Sequence, residues 1–217
     1  SAGKSTLMKI ITGIYHSDLG EMYLDGKPLE IKNFRDAVDH DINIVSQEIE
    51  VIPDATVAEN IILDRIDKFK SGVMLDWKKI NEVAAKYLDM VGLNVKPTDR
   101  IEHLSAAQKQ LIQIAKAFSS EAKYILLDEP TSSLTSYESQ NLMKIIKKLK
   151  EQNVAVIFVS HKIEEVLELC DKVSVLRDGK YVGTKYCENI SRQEIVKMMI
   201  GREESVAYLG SLDIKNE

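Results

Sequence analysis

"KYILLDEPTSSLTSYESQNLMKIIKKLKEQNVAVIFVSHK", residues 123–162, holds two uninterrupted apolar runs on either side of one amphipathic segment. Tyr124 to Leu127 and Val154 to Val159 lack polar alternation, the pattern of strands covered on both faces. Between them Thr135 and Glu138 form a T-x-x-E capping box, and Leu142, Ile145, Ile146 and Leu149 recur at helical spacing. Strand, helix and strand in that order predict a parallel sheet. The ends of both strands then share one edge of the sheet. Asp128 and Glu129 follow the first run and His161 follows the second, so the three are expected together.

Downstream, "KVSVLRDGKYVGT" (172–184) reads as a hairpin over Asp178-Gly179. A helix is expected from His161 to Leu169, and a last one from Ser191 to Ile200, where Ser191 and Glu194 form a capping box. Upstream, "LSAAQKQLIQIAKAF" (104–118) is a helix opened by the capping box of Ser105 and Gln108. Ile80, Val83, Ala84, Tyr87, Leu88 and Val91 mark another helix, which Asp76 can cap. Met22 to Leu24 and Ile42 to Val45 read as short strands. The organisation is an α/β core in two blocks, 1–48 and 120–200, with a mostly helical segment, 49–119, inserted between them. Residues 201–217 form a tail or linker.

Composition narrows the function classes. The longest apolar run, Val154 to Val159, is six residues, against the ~20 that a membrane-spanning helix needs. Net charge is −5, from 29 basic and 34 acidic residues well mixed along the chain, without the basic excess of a nucleic-acid binder. The run Ile145 to Lys150 is the solvated face of a helix. Cys170 and Cys187 have neither C-x-x-C spacing nor a histidine cluster, so neither a disulfide nor a zinc site is expected.

Four features carry chemistry. "AGKST" (2–6) is the second half of G-x-x-x-x-G-K-[ST]. In such a loop Ala2 and Gly3 supply backbone, Lys4 reaches β/γ-phosphates, and the hydroxyls of Ser5 and Thr6 serve Mg²⁺ and phosphate at a helix N-terminus. Asp128 and Glu129, at the end of a buried strand, can divide labour between Mg²⁺ and the attacking water. His161 can contact a γ-phosphate. Gln47, ending "INIVSQE" (42–48), can bind Mg²⁺ or water without adding charge. Singly each has a plainer reading: a helix start, an acidic turn before Pro130, a helix-start histidine, a polar strand end. Their order and spacing along one sheet favour the joint reading.

The set "GKST", "VSQE", "LSAAQ", "LLDEP" and "SHK" resembles the nucleotide-binding cassette of ABC transporters, over essentially the whole chain. The fold this implies is a P-loop NTPase (RecA-like) parallel-sheet core with an inserted helical subdomain. By the resemblance Lys4, Ser5 and Thr6 belong to Walker A, Gln47 is the Q-loop glutamine, and Leu104 to Gln108, including Ser105, Ala106 and Ala107, is the signature segment. Asp128 closes Walker B, Glu129 is the catalytic glutamate, Ser133 to Thr135 lie in the D-loop, and His161 is the switch histidine. "STLMKIITGIYHSDLGEMYLDGK", "TVAENI", "LDEPTSSLT" and "VLRDGK" are similar to the sugar-importer branch, whose ATPase subunit holds two cassettes in tandem. "LSAAQKQ" fits the amino-terminal cassette.

The resemblance implies ATP and Mg²⁺ as ligands and ATP hydrolysis as the activity of the intact protein. Its implied partners are a second cassette, transmembrane permease subunits docking near 49–63 and, indirectly, a solute-binding protein, with no nucleic acid. The implied location is the cytoplasmic face of the plasma membrane. A β-subdomain, an adenine-stacking aromatic, the P-loop strand and the first glycine are expected before Ser1. The chain is therefore expected to be a fragment of a larger subunit, less stable than the complete cassette or self-associating. A soluble ABC ATPase of DNA repair or translation, and a P-loop kinase, share parts of the pattern.

Overall fold

The computed structural model describes residues 3–200. Helix α1 (Lys4–Ile11) opens at Gly3, whose φ of 82° is the left-handed backbone that glycine adopts without a Cβ penalty. β1 (Met22–Leu24) and β2 (Lys27–Leu29) pair antiparallel around Asp25-Gly26. The short helix α2 (Phe34–Asp39), capped by the Asn33 side chain, leads into β3 (Ile42–Val45). Helix α3 (Val57–Ile62) continues as a 3₁₀ stretch, Leu63–Phe69, into the two-residue strands β4 (Lys70–Ser71) and β5 (Met74–Leu75). Helices α4 (Trp77–Met90) and α5 (Ala106–Ser119) follow. The carboxyl-terminal part runs β6 (Tyr124–Asp128), α6 (Ser136–Glu151), β7 (Ala155–Val159), α7 (Ile163–Leu169), β8 (Lys172–Arg177), β9 (Lys180–Tyr186) and α8 (Arg192–Ile200).

β3, β6 and β7 form one parallel sheet in that spatial order. Ile44 pairs with Leu126, Leu126 with Ile157, and Asp128 with Val159, so all three strands end at the same edge. The alternation of β6 divides the interior. Ile125 and Leu127 point into the larger core, with Ile61, Ile80, Ile112, Ile114 and Ile146, all 2% exposed or less. Leu126 points the other way, onto Met8 of α1, Ala37 of α2 and Ile42. A third cluster, Val173, Val175 and Ile195, joins β8 to α8. Burying one such side chain contributes about 1.5–3 kcal/mol, and the larger core holds most of them.

The local signals of the sequence place most elements. Thr56, Ser105 and Thr135 each close a full capping box at the start of α3, α5 and α6. Ser191 and Glu194 exchange the same bonds before α8. Three expectations need correction. The run 154–159 is not covered on both faces: among the described residues β7 is the edge strand, β8 pairs with β9 instead, and Ile157 is 46% exposed. An open groove of about 870 Å³ lies between β7 and β8, with Leu7 and Met8 of α1 among its lining. Helix α7 begins at Ile163, because His161 lies in a bend after β7 and Lys162, the residue before the helix, is extended. β3 ends at Val45, so Gln47 stands in a bend two residues beyond it.

The lysines of 145–150 are more than a solvated face. Lys147 pairs with Glu168 at 2.7 Å, and Lys150 donates to the Leu169 carbonyl at 2.6 Å and to Asp171 at 3.0 Å, fastening α6 to α7. Among the described residues no helix is long and apolar enough to cross a membrane.

Candidate functional site

The carboxyl edge of the sheet gathers the residues singled out by the sequence. Asp128 is the last residue of β6 and is 5% exposed. Its Oδ1 is buried without a hydrogen-bond partner among the described residues. Such a group costs about 1–3 kcal/mol to leave unsatisfied, a cost that a donor or cation at this oxygen would relieve.

Glu129 follows at φ 49°, a left-handed backbone uncommon for a residue with a Cβ. The conformation turns the chain sharply off the strand, and the Glu129 amide still donates to the Val159 carbonyl at 2.9 Å. His161 meets it from β7: Nδ1–H donates to Glu129 Oε2 at 2.8 Å. The glutamate side chain is 13% exposed and the imidazole 68%. The pair thus has a sheltered carboxylate and an open ring.

Lys4 and Ser5 begin α1, with Thr6 exposed on its first turn. Lys4 lines the groove beside Val159 and Ser160, which sets it at the same end of β7 as His161. Close approach is built in on the far side too: a Cβ on Gly3 would lie 3.3 Å from the Gly179 Cα in the β8–β9 turn. Ala2 lies outside the described residues, as do 201–217.

Gln47 is exposed on the loop after β3. The next residue is tethered, since Gln113 of α5 donates from Nε2 to the Glu48 carbonyl at 3.2 Å. Among the described residues no hydrogen bond joins Ser105 to Lys4, Glu129 or His161. It caps α5, its Oγ accepting from the Gln108 amide at 3.2 Å while Gln108 Oε1 accepts from the Ser105 amide at 2.9 Å. Ala106 is exposed and Ala107 half-buried on the first turn. In the segment 49–63, Glu59 caps α3 by accepting from the Thr56 amide and hydroxyl at 2.7 and 2.8 Å.

Residues 1–132 match the protein family described as "ABC transporter". The chain belongs to the ABC transporter family. The galactose/methyl galactoside import ATP-binding protein MglA of Clostridium perfringens is 42% identical to it over 202 residues, 93% of this chain and 39% of the relative. The ribose import ATP-binding protein RbsA of Geobacillus kaustophilus is 42% identical over 202 residues, 93% of this chain and 41% of the relative. The chain thus spans about two fifths of the length of these curated relatives.

Among solved structures, the ATP-binding cassette MJ0796, in a dimeric post-hydrolysis state bound to ADP and Pi, superposes with a TM-score of 0.75 at 27% identity. The match covers 87% of this chain and 82% of that one. The ADP conformation of the cassette MJ1267, at 23% identity and a TM-score of 0.74 over 93% of this chain and 84% of that one, supports the fold. The α/β architecture with a parallel sheet is that of ABC ATPase cassettes.

Sequence reasoning passed over several groups that hold this edge together. Thr131, 1% exposed, and Glu165 of α7 bond across the two strand ends at 2.9 Å. Gln113 shows no periodic or motif signal for its contact with the loop after β3. The capping box of Thr56 and Glu59 was also passed over, although its T-x-x-E pattern is the local signal that could have found it.

Proposed function

We propose that this chain is an ATP-binding and ATP-hydrolysing cassette of an importer for a sugar or related small solute. The observation that carries the reading is the buried, unpartnered Asp128 carboxylate oxygen beside the Glu129–His161 pair, at the sheet edge where α1 begins. The relatives at 42% identity are named as import ATP-binding proteins, which favours import over the soluble repair or translation ATPases.

In this reading the amides of Ala2 and Gly3 and the start of α1 receive the phosphates, with Lys4 and Thr6 bonding to their oxygens. Ser5, Gln47 and Asp128 are the residues that would hold Mg²⁺, which draws charge from the phosphate oxygens. The Asp128 site fits a cation, since its free oxygen is already desolvated and lacks a donor. Glu129 accepts a hydrogen bond from the attacking water and orients it. With Nδ1–H engaged by Glu129, His161 presents Nε2 outward from an exposed ring, towards a γ-phosphate.

The proposed assembly pairs two cassettes. Ser105 and the α5 amides over Ala106, Ala107 and Gln108 would cap the ATP of a second cassette, in tandem on the same polypeptide. Residues 1–48 and 120–200 serve as the ATPase core, 49–119 as the signature-bearing subdomain, and 201–217 as tail or linker. The surface at 49–63 receives the transmembrane permease subunits, which connect indirectly to a solute-binding protein. Nucleic acid has no part in it. The cassette works on the cytoplasmic face of the plasma membrane as a peripheral subunit.

Thermal unfolding of the full-length protein with Mg²⁺-ATP, beside Lys4→Ala, tests nucleotide binding. At ~100 times Kd the expected gain is about 2.7 kcal/mol, lost in Lys4→Ala. Equal gains in both proteins would remove Lys4 from the phosphate site, and no gain in either would overturn the reading.

A further inference from the structure

We propose that Glu165 is a positioning residue that ties the turn carrying Glu129 to the loop carrying His161. The proposal rests on the ATPase reading above and adds to it a residue outside the motifs that led there.

Glu165 lies on the first turn of α7, with its side chain 12% exposed. Thr131 Oγ1–H donates to its Oε2 at 2.9 Å, and Ser160 Oγ–H donates to the same oxygen at 3.2 Å. Lys162 Nζ lies 3.2 Å from Oε1. The same ammonium reaches back to Thr131, 3.3 Å from Oγ1 and 3.5 Å from the carbonyl. The Lys162 amide donates to Ser160 Oγ at 3.0 Å. One sheltered carboxylate therefore gathers donors from both strand ends.

The geometry gives this cluster a task. His161 stands between Ser160 and Lys162, both partners of Glu165, while its own ring is 68% exposed and has little packing to place it. Glu129 stands two residues before Thr131, and its left-handed φ of 49° is a strained conformation that persists only where its surroundings over-determine it. Thr131, 1% exposed and held at both its hydroxyl and its carbonyl, is the buried anchor of that turn. Apart from the Glu129–His161 pair itself, the contacts of Thr131 with Glu165 and Lys162 are the only side-chain bonds between 129–135 and 160–165 among the described residues. Removing the carboxylate leaves the Thr131 and Ser160 hydroxyls without their acceptor, and of the side-chain ties between the two loops only the longer Lys162–Thr131 contacts and the Glu129–His161 pair remain, so the loops are held less firmly. A displacement of about 1 Å in a catalytic pair costs on the order of 100-fold in rate.

The test is steady-state ATP hydrolysis by the full-length protein, with Glu165→Ala, Glu165→Gln, Thr131→Val, His161→Ala and the double variant Glu165→Ala/His161→Ala. Glu165→Ala is expected to lower kcat at least about tenfold with KM for ATP within about threefold, the signature of a lost transition-state interaction. Glu165→Gln, which keeps an acceptor for Thr131, is expected to recover part of that loss. In the double variant the Glu165 effect is expected to shrink, because groups that act as a unit are not additive. If Glu165→Ala does not fold, Thr131→Val, which keeps shape and removes only the hydroxyl, carries the test with a smaller loss of kcat. An unchanged kcat, a loss confined to KM, or effects that simply multiply in the double variant would overturn the proposal. Absence of turnover in the unmutated protein overturns the ATPase reading instead, and is told apart because every variant is scored against that protein.

Discussion

His161 Nδ1 and Glu129 Oε2 lie 2.8 Å apart at the ends of neighbouring parallel strands, although 32 residues separate them in the chain. The contact follows from the sheet: Asp128 pairs with Val159, so the first residues past each strand leave from the same point on the edge. The carboxylate is nearly closed off from solvent and the imidazole is open, so their roles differ despite the shared bond.

That asymmetry yields the first prediction. Glu129→Gln in the full-length protein is expected to lower ATP turnover by about 10²–10⁴-fold while ATP binding is retained, since the amide keeps the size of the group and loses its basicity. His161→Ala should lower turnover by less, because it leaves the carboxylate in place. Single-turnover hydrolysis with nucleotide binding measured in parallel checks both. Turnover unchanged in Glu129→Gln removes that residue from the chemistry.

Ser105 has a capping role that is visible and a phosphate role that is proposed, and two substitutions separate them. Ser105→Ala removes the acceptor for the Gln108 amide and is expected to cost about 1 kcal/mol in urea unfolding. Ser105→Asp keeps an acceptor at the cap, so stability should hold. Its negative charge would face the phosphate of a partner's nucleotide, so ATPase activity in the paired cassettes is expected to fall. Full activity in Ser105→Asp would confine Ser105 to capping.

How legible these features were depends on the range of the interaction behind them. Capping boxes at Ser105, Thr135 and Ser191 were readable because they involve residues three apart. The strands β6 and β7 were readable because continuous apolar runs need no partner to be recognised. Whether a run is covered is a different matter: Ile157 belongs to such a run and is 46% exposed, since its cover depends on which strand lies next to β7. The second strand of the first hairpin was hidden by Pro28, which lacks the donor that a central strand requires. Thr131 and Glu165 gave no signal at all, because a bond between residues 34 apart is set by sheet register and not by any local pattern. At this edge the motif residues could be placed from the sequence, and the bonds that join Thr131, Ser160 and Lys162 to Glu165 could not.

Gly13 is the position where backbone freedom decides stability. Its φ is +70°, and an added Cβ would fall 2.6 Å from the Asn33 carbonyl carbon and oxygen and from Ile31 Cγ2. Backbone cannot move aside as a flexible side-chain end does. Gly13→Ala is therefore expected to destabilise by more than about 2 kcal/mol, loosening α1 from the segment that leads into α2. Chemical denaturation of the two proteins under one condition checks it, and a change within about 0.5 kcal/mol would mean that the turn after α1 is not packed this closely.

The cysteines supply a prediction with a defined pH direction. Burial pushes the Cys170 thiol up to about 11, with nearby Cys187 adding to the effect, and burial also raises Cys187. Raising an acid's folded pKa keeps it neutral, so the native thiol stays protonated at a pH where the unfolded chain already carries thiolate. Since the thiolate is the nucleophile, alkylation of native Cys170 by iodoacetamide at about pH 8 should be at least tenfold slower than in the unfolded chain. The stabilising contribution of the buried neutral thiol is fully present below its ordinary value of 9.0 and is lost as pH rises towards about 11. The native rate should therefore climb across that interval, followed by mass spectrometry of the modified peptide. A native rate equal to the unfolded one at about pH 8 would place Cys170 in solvent, and the contact between the end of α7 and the start of β8 would have to be looser than it is here.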